Sequence, residues 1–135
     1  MRAFRPLRGI ARDEAGATAI EFALVSTALI SFIFGIVYIA IMVFNNLSLE
    51  WALTKAARIA EINNTATQTE VSQAVNAYLA SMQLPTATVA YSSSVNANGV
   101  RTANISAAYT QTYDVPMISS FTINFSSSIT VPQPS

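Results

Sequence analysis

The stretch GATAIEFALVSTALISFIFGIVYIAIMVF, residues 16–44, decides the architecture of this chain. Glu21 is its only charged residue, and from Phe22 to Phe44 no Asp, Glu, Lys or Arg occurs. As a helix that rises 1.5 Å per residue, this uncharged part would be about 35 Å long, which is enough to cross a hydrocarbon core of about 30 Å. We therefore expect a transmembrane helix at residues 17–44.

The charges on the two sides of this span predict its orientation. Four arginines precede it, at positions 2, 5, 8 and 12, whereas the rest of the chain is slightly acidic. Basic flanks stay in the cytoplasm, which predicts a cytoplasmic N-terminus, although Lys55 and Arg58 weaken the contrast. The arginines are too few, and too close to Asp13 and Glu14, to favour a nucleic-acid partner.

The composition also excludes several kinds of chemistry. The chain has 135 residues, 52% of them hydrophobic and only 10% charged, and it contains no cysteine and no histidine. A disulfide framework, a thiolate metal site and a histidine general base are therefore absent. We expect no catalytic residue, no metal and no cofactor; a Ser-Lys pairing of Lys55 is the one remaining, unfavoured, catalytic possibility.

Residues 45–135 predict a small α+β domain beyond the membrane. Apolar residues continue among charged ones up to Ala60, which predicts an amphipathic extension of the first helix, with Trp51 packed against the domain. Thr67 and Glu70 have the spacing of a capping box, which predicts a second, short helix at residues 68–83. Its apolar stripe consists of Val71, Val75, Tyr78, Leu79 and Met82.

The C-terminal part of this domain predicts a small antiparallel sheet of about three strands. Alternation of apolar and polar residues marks Val89–Val95 and Ile105–Tyr113, and Asn96–Gly99 between them is typical of a hairpin turn. A third strand is expected from Phe121 to Val131, with Ser126–Ser128 read as strand or bulge rather than as a linker or a glycan-bearing patch. Pro116 and Met117–Ser120 are expected to form a connector, and Pro132–Ser135 a frayed tail.

A small residue, Gly16, closes the basic leader at residues 1–16 and precedes the apolar stretch. Secretory signals are cleaved after their apolar stretch, so cleavage here would release the leader and keep the helix. Ala17 would then carry a free ammonium, with Glu21 roughly 6 Å deeper along the helix axis. An ammonium close to Glu21 of a neighbouring helix would favour a staggered, side-by-side register; the alternative is a Glu21 that reaches the lipid headgroups.

The stretch RDEAGATAIEFALV, followed by ISFIFGIVYIA and LTKAARIA, resembles the TadE-like family of pseudopilins from Tad/Flp pilus systems over residues 12–60. The resemblance implies processing after Gly16 by a prepilin peptidase, with Ala17 as the new N-terminus. It also implies that Glu21 is the family's glutamate at the fifth mature position and Phe22 its aromatic neighbour. Ser26-Thr27 stands where such proteins commonly have a proline, which puts a kink in the span in doubt.

The same resemblance implies where the protein works and with what. We expect it in the bacterial inner membrane, with a periplasmic C-terminal domain, and associated with the lipid bilayer, other Tad pilus subunits and inner-membrane platform proteins. The major fibre subunit of such systems is much shorter, and TadG-like relatives are larger, which leaves a minor subunit of TadE or TadF type in pilus assembly and adhesion.

Two other functions compete with this one. The first is an unprocessed single-pass anchor whose outer domain binds an envelope protein, with Glu21 incidental. The second is a type II secretion pseudopilin, which Ala17 disfavours because those proteins resemble one another in a large hydrophobic residue at that position.

Overall fold

The computed structural model describes residues 14–63, 65–115 and 119–134. It has the predicted α+β fold, with a long N-terminal apolar helix, a short second helix and a three-stranded antiparallel sheet. The elements are α1 (Glu14–Ile62), α2 (Gln68–Ser81), β1 (Thr88–Val95), β2 (Arg101–Tyr113) and β3 (Phe121–Pro132). The chain divides into two compact units, Met1–Ala40 and Ile41–Ser135, here called the N-terminal and C-terminal units.

Helix α1 begins at Glu14, three residues before the predicted start at Ala17. The rest of the predicted leader, residues 1–13, lies outside the described residues.

Within the N-terminal unit, α1 is apolar on every side. From Gly16 to Ala40 all residues are exposed except Ser26 and Tyr38, which are half-buried. The helix Gly16–Ile62 is long and apolar enough to cross a membrane, and its most apolar window contains no buried residue.

Within the C-terminal unit, α1 buries one face, which confirms the predicted amphipathic extension. The buried positions recur every three or four residues, and most of them are small. They are Asn45, Ser48, Leu49, Ala52, Leu53, Ala56, Ala57 and Ala60. The expectation that Trp51 packs against the domain is wrong, because its side chain is 56% exposed and its position faces away from the buried stripe.

The sheet has the order β1-β2-β3. The predicted hairpin turn is present: Asn96 N–H donates to the carbonyl of Val100 at 2.9 Å, and Gly99 supplies a φ of 78° that side chains disfavour. Ser126–Ser128 lie in β3 and pair with Ala108, Ala107 and Ser106 without a break in register, which confirms the strand interpretation.

The core lies between one face of the sheet and the two helices. Every second residue of β2 is buried from Ala103 to Tyr109, and Val71, Val75 and Leu79 of α2 are fully buried. Helix α2 ends at Ser81 rather than at residue 83, because Gln83 adopts a positive φ of 59° that a right-handed helix excludes.

The predicted fraying of the tail is wrong for Pro132 and Gln133. Pro132 belongs to β3, and Gln133 is buried, with its backbone N–H donating to the carbonyl of Arg101 at 2.9 Å. Its side-chain Nε2 donates to Tyr91 Oη at 2.9 Å, and its Oε1 accepts from Ser93 Oγ. A buried amide with partners on both sides fixes this part of the chain. Pro116–Ile118 of the predicted connector lie outside the described residues.

Candidate assembly helix

The predicted processing and assembly residues all lie on the first turns of α1. Gly16, Ala17, Glu21 and Phe22 are exposed, and the Phe22 ring is 73% exposed. Ala17 and Glu21 are four residues apart and therefore share one face of the helix, one turn apart. The fold thus presents these side chains outward.

The described residues give no structural reason for a glycine at position 16. A Cβ built at this position would meet no heavy atom within 4 Å, and the same is true of Gly35. Glycine in a helix interior costs roughly 0.5–1 kcal/mol relative to alanine. If glycine is required at position 16, the requirement therefore comes from another molecule that binds there.

The exposed apolar side chains of the N-terminal unit far exceed what water tolerates on a protein surface. They surround the whole helix rather than one side of it. The large ones are Ile20, Phe22, Leu24, Val25, Leu29, Ile30, Phe32, Ile33, Phe34, Ile36, Val37 and Ile39. This segment needs lipid or other helices around it.

A line of small residues at a spacing of four runs along this part of α1. It consists of Ala19, Ala23, Thr27, Ser31 and Gly35. Thr27 Oγ1 donates to the carbonyl of Ala23, and Ser31 Oγ to that of Thr27, both at 2.8 Å. The hydroxyls are thus satisfied within the helix, and the line suits close approach of another helix. This spacing of four is visible in the sequence, although the predictions above did not include it.

Two ionisable groups of the C-terminal unit have structural partners that shift their pKa. Glu70 caps α2, and the Thr67 backbone N–H, then the Thr67 hydroxyl, lower the pKa of its carboxyl. Burial, then the nearby Tyr113, raises the pKa of Tyr109 to about 12. Across residues 14–63, 65–115 and 119–134, no group of three His, Cys, Asp or Glu is placed to hold a metal ion.

A shallow depression lies on the outer face of the sheet. Its volume is about 440 Å³, and it is lined by serine, threonine and alanine of all three strands, including Ala90, Ser106 and Ser128. Its lining carries neither a charge nor an aromatic ring. Such a surface lacks the few convergent polar groups in an apolar pocket that small-molecule sites use.

These features define a class of protein: one membrane-type helix near the N-terminus, followed by a small α+β unit. Within that class, residues 16–58 match the family model described as TadE-like protein. The match begins at Gly16, covers most of α1 and confirms the resemblance for this segment of the chain. No curated protein and no solved structure matches the chain.

Proposed function

We propose that this chain is a minor pseudopilin of a Tad/Flp pilus, processed after Gly16 by a prepilin peptidase and supporting pilus assembly and adhesion. The observation that carries the proposal is the family match, which starts at the predicted processing glycine and follows the exposed apolar helix. The chain has no catalytic role in this proposal. It resides in the bacterial inner membrane, with its N-terminus cytoplasmic and its C-terminal unit periplasmic.

Three features of α1 support the first step, removal of the leader. Gly16 and Ala17 are exposed, no other described residue crowds Gly16, and the helix continues beyond them. A peptidase that binds the small residue would reach the bond without unfolding the C-terminal unit. Cleavage gives Ala17 an ammonium group on the same helix face as Glu21.

The second step is lateral assembly through Glu21 and Phe22. An ionised carboxylate in a membrane helix costs about 2.5–3.5 kcal/mol at the bilayer centre and less towards the interface, so a cationic partner lowers that cost. The new ammonium of one subunit supplies this partner for Glu21 of another. The line of small residues from Ala19 to Gly35 supports the close helix contact that such a pair requires.

N-terminal sequencing of the membrane-extracted chain tests the first step. In cells with an active prepilin peptidase, we expect a mature chain that begins at Ala17. Gly16→Leu should block processing, whereas Gly35→Leu, at an equally uncrowded glycine, should leave it unchanged. An intact leader in the unmodified chain would support the competing function, an unprocessed anchor for an envelope protein.

Glu21→Gln tests the second step separately. It should leave cleavage intact and lower the number of pili by about tenfold or more, the effect of losing about 1.4 kcal/mol per contact. Glu61→Gln, an exposed acid at the other end of α1, serves as the control. Normal piliation with Glu21→Gln would refute the assembly role while leaving processing unaffected.

A further inference from the structure

The C-terminal unit exposes a second apolar stripe on α1, on the side opposite its own core. Phe44, Leu47 and Trp51 are 53%, 48% and 56% exposed, and Thr54 and Arg58 continue the line. Their spacing of three and four is that of the a and d positions of a coiled coil, whereas Leu49 and Ala56, fully buried against the sheet side, occupy the opposite f position. The helix therefore has a covered face and an uncovered one.

Charges of opposite sign flank this stripe. Glu50 lies on one side at a g position, and Lys55 lies on the other at the following e position. Both side chains are exposed, and Asn46 Nδ2 donates to Glu50 Oε1 at 3.1 Å. In two parallel helices, g of one faces the next e of the other, which brings Glu50 of one copy to Lys55 of the second copy. The stripe is thus complementary to itself.

We propose that this stripe is the interface of a parallel homodimer, with α1 of a second copy packed along Phe44, Leu47, Trp51 and Thr54. A parallel pair sends both N-terminal segments in the same direction, as two chains anchored in one bilayer require. Arg58 ends the apolar seam, because facing charged residues at an a position reduce stability and help to fix the register. The dimer does not depend on removal of the leader and goes beyond the proposed function.

A lipid surface is a poorer occupant for the same stripe. From Phe44 to Arg58 the stripe is about 21 Å long, whereas the headgroup region adds only about 5–7 Å on each side of the hydrocarbon core. The two acids Glu50 and Glu61 offset Lys55 and Arg58, so this region has no net positive charge to attract anionic lipids. A second copy meets both the length and the charge pattern.

The absence of cysteine from the chain makes thiol crosslinking a clean test. Leu47→Cys and Thr54→Cys should each give a disulfide-linked dimer when the full chain is mildly oxidised in membranes. We expect about tenfold more dimer than with Ala80→Cys, an exposed position on α2, because the interface raises the effective concentration of the facing thiols. Equal crosslinking at all three positions, or none at Leu47→Cys and Thr54→Cys, would overturn the proposal.

Charge exchange tests the pairing in the Thr54→Cys background. Lys55→Glu places acids on both flanks and should reduce crosslinking by about fivefold, since two attractive pairs become repulsive. Adding Glu50→Lys should restore it, an outcome that loss of folding could not produce. If the double exchange stays as low as the single change, the paired-charge interface is wrong.

Trp51, the only tryptophan, reports on the competing occupant. In vesicles of brominated phosphatidylcholine, a seam buried between two copies should protect Trp51 from quenching. Strong quenching together with absent crosslinks would assign the stripe to lipid and reject the dimer. The same measurements on unprocessed Gly16→Leu protein separate this proposal from the proposed function, because the dimer should persist there.

Discussion

The two parts of α1 have similar apolar content and opposite surroundings. Leu29, in the N-terminal unit, is 56% exposed, whereas Leu49, in the C-terminal unit, is fully buried. The first part is apolar around its whole circumference, and the second places small residues on one face and charges elsewhere. The difference shows that the arrangement of apolar residues around a helix, more than their number, separates a lipid-facing segment from one that packs on its own sheet.

The same substitution in both parts should give the largest contrast. Leu49→Ala removes a fully buried side chain and should lower the free energy of unfolding of the C-terminal unit by about 2–5 kcal/mol. Leu29→Ala should change it by less than about 0.5 kcal/mol. Urea titration of the full chain in detergent, followed by near-UV circular dichroism, measures both. Similar losses for the two variants would break the comparison.

A smaller effect should arise where α1 first meets the sheet. Asn45 is buried, and its Nδ2 donates to Tyr113 Oη at 2.6 Å. Tyr113→Phe removes that acceptor and leaves a buried amide donor, which should cost about 1–3 kcal/mol. Tyr78→Phe, at a half-buried tyrosine of α2, is the control and should cost less than about 0.5 kcal/mol in the same titration. No difference between the two would mean that this contact does not anchor α1.

The capping box of α2 should contribute less again. Thr67→Ala removes the hydroxyl that accepts from the Glu70 N–H and should destabilise the C-terminal unit by about 1 kcal/mol. Thr69→Ala, an exposed threonine in the first turn, is the matched control. Differential scanning calorimetry should show a lower Tm for Thr67→Ala alone. Equal shifts would point to helix propensity rather than capping.

The weakest expected effect is a loss of stability in alkali. The hydroxyl of Tyr109 donates to the carbonyl of Asn45 at 3.2 Å, and burial raises its pKa to about 12 from an unperturbed value of about 10. Above pH 10 the unfolded chain releases this proton and the folded chain keeps it, so stability present below pH 10 should fall as the pH approaches 12. Tyr109→Phe should flatten this part of the dependence when urea midpoints at pH 9 and pH 11 are compared. An unchanged slope would refute the assignment to Tyr109.

Much of this fold follows from local patterns in the sequence. Short stretches of sequence were enough to predict three features. These are the apolar helix up to Phe44, the capping box of Thr67 and Glu70, and the turn at Asn96–Gly99. The amphipathic extension of α1 followed from its mixture of apolar and charged residues in the same way.

Other features depend on contacts between distant parts of the chain. Gln133 is buried because its side chain reaches Tyr91 and the carbonyl of Ala60, 42 and 73 residues away. Trp51 is exposed because the face of α1 opposite to it already meets the sheet through small residues. Neither set of contacts can be deduced from a few neighbouring residues. The sequence therefore predicted a frayed tail and a buried Trp51 side chain. Of the candidate site, the positions of Gly16, Ala17, Glu21 and Phe22 were predictable, whereas their processing and pairing stay predictions.

The side chain of Asn76 occupies backbone hydrogen-bonding groups next to the β1 edge of the sheet. Its Oδ1 accepts from the Ala87 N–H at 2.7 Å and its Nδ2 donates to the Ala87 carbonyl at 3.3 Å, so a side-chain amide imitates a peptide unit of an adjoining strand. Gln68 Nε2 likewise donates to the carbonyl of Val89, at 3.3 Å. The backbone groups at the start of β1 are therefore not available to pair with a strand of another molecule, which protects this edge of the sheet against cross-β aggregation.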